Sequence, residues 1–141
     1  MKALFFFLVI SFVLWPVSKA LAAKQIIVVT NMEKPPPMKK HEIRNLFMGG
    51  ASNVFEPVVL KPGEEARHVF NTLVVGLTEA RIQSYWAQMR FSGRHRAPVE
   101  VESTEQMLQY LLEHKGAVGY LPADVTIPEQ LTVLFSSRQQ G

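Results

Sequence analysis

Apolar residues crowd the first 22 positions, which hold 17 of them, and then settle to ordinary globular density. Beyond that block the apolar positions alternate between short runs and helical stripes. Ile26-Ile27-Val28-Val29 is a continuous β-branched run, the pattern of a strand buried on both faces as in a parallel sheet. Pro35-Pro36-Pro37 then forces an extended loop. Between Lys39 and Met48, Ile43, Leu46 and Phe47 share one helical face, and Gly49-Gly50 stops the helix. Glu56 to Leu60 reads as a second strand, punctuated by Pro62-Gly63.

A helix is expected from Glu64 to Val75, with Ala66, Val69, Phe70, Leu73 and Val74 at helical spacing and Gly76 at its end. Thr78 can cap another that runs to about Phe91, with Ile82, Tyr85, Trp86 and Met89 as its stripe. At that spacing Tyr85 and Trp86 read as core and not as a binding platform. Val99 and Val101 suggest a short strand. Ser103 and Gln106 make a capping box for a helix bearing Met107, Leu108, Leu111 and Leu112, closed by Gly116. Ala117 to Leu121 and Leu131 to Phe135 read as the last strands, and Ser136 to Gly141 as a frayed tail. Strands alternating with helices predict an α/β fold with a mostly parallel sheet flanked by helices. The expected core comprises Ile27, Val29, Leu46, Phe47, Val59, Val69, Phe70, Leu73, Trp86, Leu108, Leu111, Val118 and Tyr120.

The apolar block at the start has the order of an export signal. Lys2 opens it, an apolar run follows to Val17, and Ala20 and Ala22 form an A-x-A pattern that predicts cleavage between Ala22 and Ala23. The run is too short for a spanning helix, and Pro16 breaks its end. Residues 1–22 are therefore expected to be a signal peptide and 23–141 one α/β domain, periplasmic or secreted, with no membrane span after cleavage. Lys2 and Lys19 supply two of the chain's net +3 charges. The near-neutral remainder argues against nucleic acid as a partner. The absence of Cys excludes disulfide scaffolds, thiolate metal sites and Cys nucleophiles, and fits an oxidising compartment without demanding one.

No catalytic constellation meets its spacing requirements. His41, His68, His95 and His114 are scattered singly, so no metal site is expected. Nucleotide-binding glycine loops and the G-x-S-x-G elbow are missing, and Asp124 is the sole aspartate. Glu64, Glu79 and Glu105 fall at helix starts, where the helix dipole accounts for them. An enzyme is not expected, nor is a cofactor. Arg90, Arg94, His95 and Arg96 form a basic turn. It reads either as a contact for an anion or acidic partner, or as a solvated turn that stabilises a helix C-terminus.

The order of these elements resembles the phosphate-type periplasmic solute-binding proteins, the type II receptors of phosphate importers. Ile43-Arg44-Asn45-Leu46-Phe47-Met48-Gly49 is similar to that family's I-x-x-I/L-F-x-G segment. Val58 to Phe70 resembles its strand–loop–helix, and Val75-Gly76 stands at its Leu-Gly turn. Tyr85-Trp86, Phe91-Ser92-Gly93 and Pro98 resemble the YW…F-x-G…P stretch of short members. Gly116-Ala117-Val118-Gly119-Tyr120-Leu121 resembles its G-A-I-G-Y-V strand. The resemblance spans about residues 26–121 and implies one lobe of a family whose full members close two lobes on a ligand.

The resemblance implies a ligand loop at Lys61, Gly63, Glu64, Glu65 and Arg67. Where the family carries Ser-Gly-Thr, this chain reads Gly63-Glu64-Glu65. Two carboxylates complement the helix dipole themselves and repel an anion, and Lys61 and Arg67 are near enough in sequence to offset part of this. Two functions follow as expectations. One is binding of a small phosphate-like anion, or a degenerate remnant of that activity. The other is a periplasmic protein–protein interaction module that reuses the fold.

Overall fold

The computed structural model describes residues 24–93 and 95–140. The expected signal peptide, its cleavage site and Arg94 lie outside the described residues. Five strands form one sheet: β1 (Ile26–Thr30), β2 (Glu56–Leu60), β3 (Val99–Val101), β4 (Ala117–Pro122) and β5 (Thr132–Ser136). Their order across the sheet is β3-β2-β4-β1-β5. β2 is parallel to both β3 and β4, and β1 is antiparallel to both β4 and β5. Four strands thus share one direction, and β1 alone runs against them.

That direction corrects the reading of the Ile26–Val29 run. All five residues of β1 are buried, and Thr30, its one polar side chain, donates its hydroxyl to the Ala117 carbonyl at 2.9 Å. The cause is cover on both faces, which an antiparallel strand receives equally well when helices lie on either side.

The helices are α1 (Lys40–Phe47), α2 (Glu65–Phe70), α3 (Glu79–Ser92) and α4 (Thr104–Glu113). Neighbouring residues of β4 show how they divide. Tyr120 points to one face, where its ring stacks on Phe70 of α2 at 4.1 Å and meets Phe47 of α1 at 6.0 Å. Gly119 points to the other face, beneath Met107 and Leu111 of α4. A Cβ at Gly119 would lie 2.4 Å from the Met107 sulfur, so the missing side chain is what lets α4 sit this close. Consecutive strand residues alternate faces, and here they alternate between two helical layers.

Local signals set most boundaries. Thr78 Oγ1 accepts the Arg81 amide at 3.3 Å and starts α3. Ser103 Oγ accepts the Gln106 amide at 3.2 Å and starts α4. Gln106 returns its side-chain oxygen to the amide of Glu102, one residue before the cap. At α1 the box is closed by Glu42, which accepts the Lys39 amide at 2.6 Å.

The expected helix over 64–75 is divided. α2 ends at Phe70, and Asn71–Val75 forms a wider π turn in which the Gly76 amide donates to the Asn71 carbonyl at 2.7 Å. The extra residue in that turn lets Asn71, Val74 and Val75 all face inward. The tail is also more fixed than expected. Ser137 Oγ accepts the Ile26 amide at 2.9 Å and donates to Gln25, so the turn Ser137–Gln140 is tied to the first strand.

Within the expected core, Val59, Val69, Leu73 and Leu108 are only partly buried. On β2 the fully buried residues are Val58 and Leu60, which face α4. Val59 faces α3, which buries only Ile82 and Trp86 and so covers it loosely. Tyr85, expected in the core, is half-buried and donates its hydroxyl to the Met48 carbonyl at 2.5 Å. Among the described residues no helix is long and apolar enough to cross a membrane.

Candidate functional site

The loop singled out by sequence leaves the carboxyl end of β2 and enters α2. Open α/β sheets bind their ligands beyond the carboxyl ends of parallel strands, because loops there can shape a crevice without disturbing the sheet. Gly63 makes the turn with a φ of +95°, a conformation glycine adopts without strain. Glu64 is the last residue before α2 and Glu65 the first within it.

Three cations near this loop, Lys24, Lys61 and Arg67, are each matched by a carboxylate. Lys61 Nζ lies 3.1 Å from Glu102 on the loop after β3. The hydrogen bond and charge of Glu102 hold the Lys61 ammonium above its ordinary pKa. Lys24 pairs with Glu65. Arg67 turns inward from α2 and is buried. Its Nε and Nη2 donate to the two oxygens of Glu79 at 2.8 and 2.6 Å, and its Nη1 donates to the Leu60 carbonyl at 2.6 Å. Burial is the largest single influence and pulls the guanidinium toward deprotonation, but the Glu79 hydrogen bonds together with the Coulombic attraction of Tyr120, Glu79 and Glu100 outweigh it and hold the pKa above the ordinary value. Arg67 therefore fastens the end of β2 to the start of α3, with its charge directed away from solvent.

Glu79 is the hub of this arrangement. It also accepts from Asn71 at 2.8 Å and Gln83 at 2.7 Å. The Arg67 hydrogen bond, aided by Gln83 and Asn71, holds its carboxyl below the ordinary range despite partial burial. The helix-start position of Glu79 is legible in the sequence, but its partner Arg67, twelve residues earlier, is not. The i, i+4 spacings Arg67/Asn71 and Glu79/Gln83 were the available signal.

The basic turn lies elsewhere. Arg90 is exposed on the last turn of α3, and its side chain borders a 90 Å³ cavity between that helix and β2. Arg96 and His95 border an open groove with Glu56 and Pro57, at the amino ends of β2 and β3. The structure thus sets Arg96 apart from the 61–65 loop, at the other end of the sheet, whereas Arg90 lines the same cavity as Arg67, Asn71 and Glu100.

A second cavity at the carboxyl end has a volume of 330 Å³ and is bordered by Lys24, Glu65, Asp124 and Arg138 over a floor that includes Ala66, Val69 and Pro122. Of these charged residues only Glu65 was singled out by sequence. Lys24, Asp124 and Arg138 come from opposite ends of the chain, and no spacing rule links them.

No protein-family model and no curated protein sequence matches the chain. Among solved structures it is similar to an ABC-type phosphate transport receptor from Vibrio cholerae, with a TM-score of 0.56 and 15% identity over 79% of this chain and 45% of the receptor. It is also similar to PstS from Borrelia burgdorferi, with a TM-score of 0.51 and 11% identity over 71% of this chain and 41% of that one. The fold is therefore a mixed α/β arrangement shared with part of these phosphate receptors. The chain spans less than half the length of either.

Proposed function

We propose that this chain is an exported, non-enzymatic binding module with the fold of one phosphate-receptor lobe, in which the 61–65 loop has lost its phosphate site. On this reading residues 1–22 direct export and are removed, and 23–141 form one domain in the periplasm. The observation that carries the reading is charge pairing at the carboxyl end of the sheet. Lys61 is matched by Glu102, Arg67 by Glu79 and Lys24 by Glu65. A phosphate dianion approaching the start of α2 meets the Glu64 and Glu65 carboxylates, where the family it resembles offers hydroxyl donors.

Calorimetry of the exported protein against phosphate and sulfate at low ionic strength tests this. The expected result is no saturable heat below millimolar concentration. A micromolar dissociation constant for phosphate would overturn it and restore the small-anion reading, which the likeness to phosphate receptors supports. A second reading, a periplasmic protein-interaction module, is supported by Phe91. Its ring is 95% exposed at the end of α3, beside Arg90. Aromatic and arginine side chains are the usual anchors of protein interfaces.

A further inference from the structure

We propose that the cavity bordered by Lys24, Glu65, Asp124 and Arg138 binds a small zwitterion of the α-amino-acid class, with the ligand carboxylate on Arg138 and its ammonium on Asp124. The proposal rests on the reading that this lobe remains a binding module after losing phosphate, and it assigns the ligand class.

Size and position come first. The cavity measures 330 Å³, within the range of small-ligand pockets, and opens beyond the carboxyl end of β4. Charge then selects the ligand. Lys24 and Glu65 neutralise one another on one side. Among the described residues, Asp124 and Arg138 make neither an ion pair nor a side-chain hydrogen bond, yet they border the same space. The four charges cancel. A simple anion gains from Arg138 but is repelled by Asp124, and a simple cation meets the reverse. A molecule that carries both charges satisfies both residues, and the guanidinium fork suits a carboxylate in two parallel hydrogen bonds. Ala66, Val69 and Pro122 offer apolar surface to the rest of the ligand.

The three segments that carry these groups are joined to one another. The Ala123 amide donates to the Gln25 carbonyl at 3.1 Å, and the Val125 amide closes the turn onto Pro122 at 3.1 Å. Ser137, next to Arg138, accepts the Ile26 amide at 2.9 Å and donates to the Gln25 side chain at 2.5 Å. The backbone segments that carry Asp124 and Arg138 are therefore tied to the start of β1 before any ligand arrives, and binding has to order only the two exposed side chains.

Calorimetry with the exported protein tests the proposal, using glycine, L-leucine, L-glutamate and L-lysine as probes, with putrescine, acetate and phosphate alongside. At least one amino acid is expected to bind at submillimolar concentration, and putrescine and acetate are not. N-acetylation or amidation of the bound amino acid is expected to weaken it by about tenfold or more, because each removes one charge. Arg138→Gln and Asp124→Asn should each weaken it similarly, with thermal unfolding as a check that the fold survives. If a variant fails to fold, the modified ligands decide. Failure of all four amino acids at millimolar concentration would overturn the proposal, as would equal binding of the acetylated and free forms. Micromolar phosphate binding would instead overturn the reading on which it rests, so the two failures are distinguishable.

Discussion

Arg67 and Glu79 face each other across the junction of α2 and α3 through two near-parallel hydrogen bonds of 2.8 and 2.6 Å. A cation that sequence spacing places beside an anion loop is thereby consumed in holding two helices together. The pair has its own consequences for stability.

Glu79→Gln removes the charge that matches a buried guanidinium. Complete burial of both partners would make the loss about 3–5 kcal/mol, and a loss of roughly 2–3 kcal/mol is expected here because water screens the partly exposed Glu79. The sign of the pH dependence follows from the lowered Glu79 pKa. A carboxyl whose folded pKa lies below its unfolded value stabilises fully above the unfolded value, about 4.3, and loses that contribution as pH falls through the folded one. Urea unfolding of the wild type from pH 7 down to pH 3 should show this acid limb. The Gln variant should start lower and fall less steeply.

Phe70→Ala tests the aromatic cluster under α2. Its ring stacks on Tyr120 at 4.1 Å and meets Phe47 at 4.7 Å, and it is almost wholly buried. Truncation leaves a cavity in this buried aromatic layer, so a loss of about 3–5 kcal/mol is expected in denaturant unfolding. A loss near that of an ordinary surface change, below about 1 kcal/mol, would show that the cluster is not packed this way.

Gly119→Ala tests the approach of α4 to the sheet. The added methyl falls 2.4 Å from the sulfur of fully buried Met107, and 3.4 Å from both methyls of Leu111. Overpacking of this kind costs about 1–3 kcal/mol. The same substitution in a Met107→Ala background should cost distinctly less, since the methyl then enters vacated space. A double-mutant cycle in urea reads the coupling, and additive losses would contradict the contact.

Tyr120→Phe tests where β2 and β4 part. The two strands pair only at Glu56 and Pro57, and beyond that the Tyr120 hydroxyl accepts the Leu60 amide at 3.0 Å. Removal of the oxygen leaves a buried amide unpaired, at a cost of roughly 1–3 kcal/mol. Hydrogen exchange should report the effect first at the Leu60 amide, and an unchanged rate there would refute the role.

Local spacing and capping chemistry set most of the elements. Apolar spacing placed Ile43, Leu46 and Phe47 inward, Thr78 and Ser103 acted as the caps their chemistry dictates, and Glu56–Leu60 formed a strand where the β-branched run lay. These are local effects, set by residues a few positions apart. Three features were decided only by tertiary structure. β1 runs antiparallel because strand direction depends on which partners flank it, and two-sided burial looks the same for either direction. The 64–75 helix widens into a π turn because Asn71 must reach Glu79 while Val74 and Val75 stay inside. Finally, Arg67 points inward to Glu79 while Arg138 and Asp124 border one cavity. Charge partners are chosen by proximity in space, and Asp124 and Arg138, which lie 100 and 114 residues beyond Lys24, leave no periodic mark for a sequence to show.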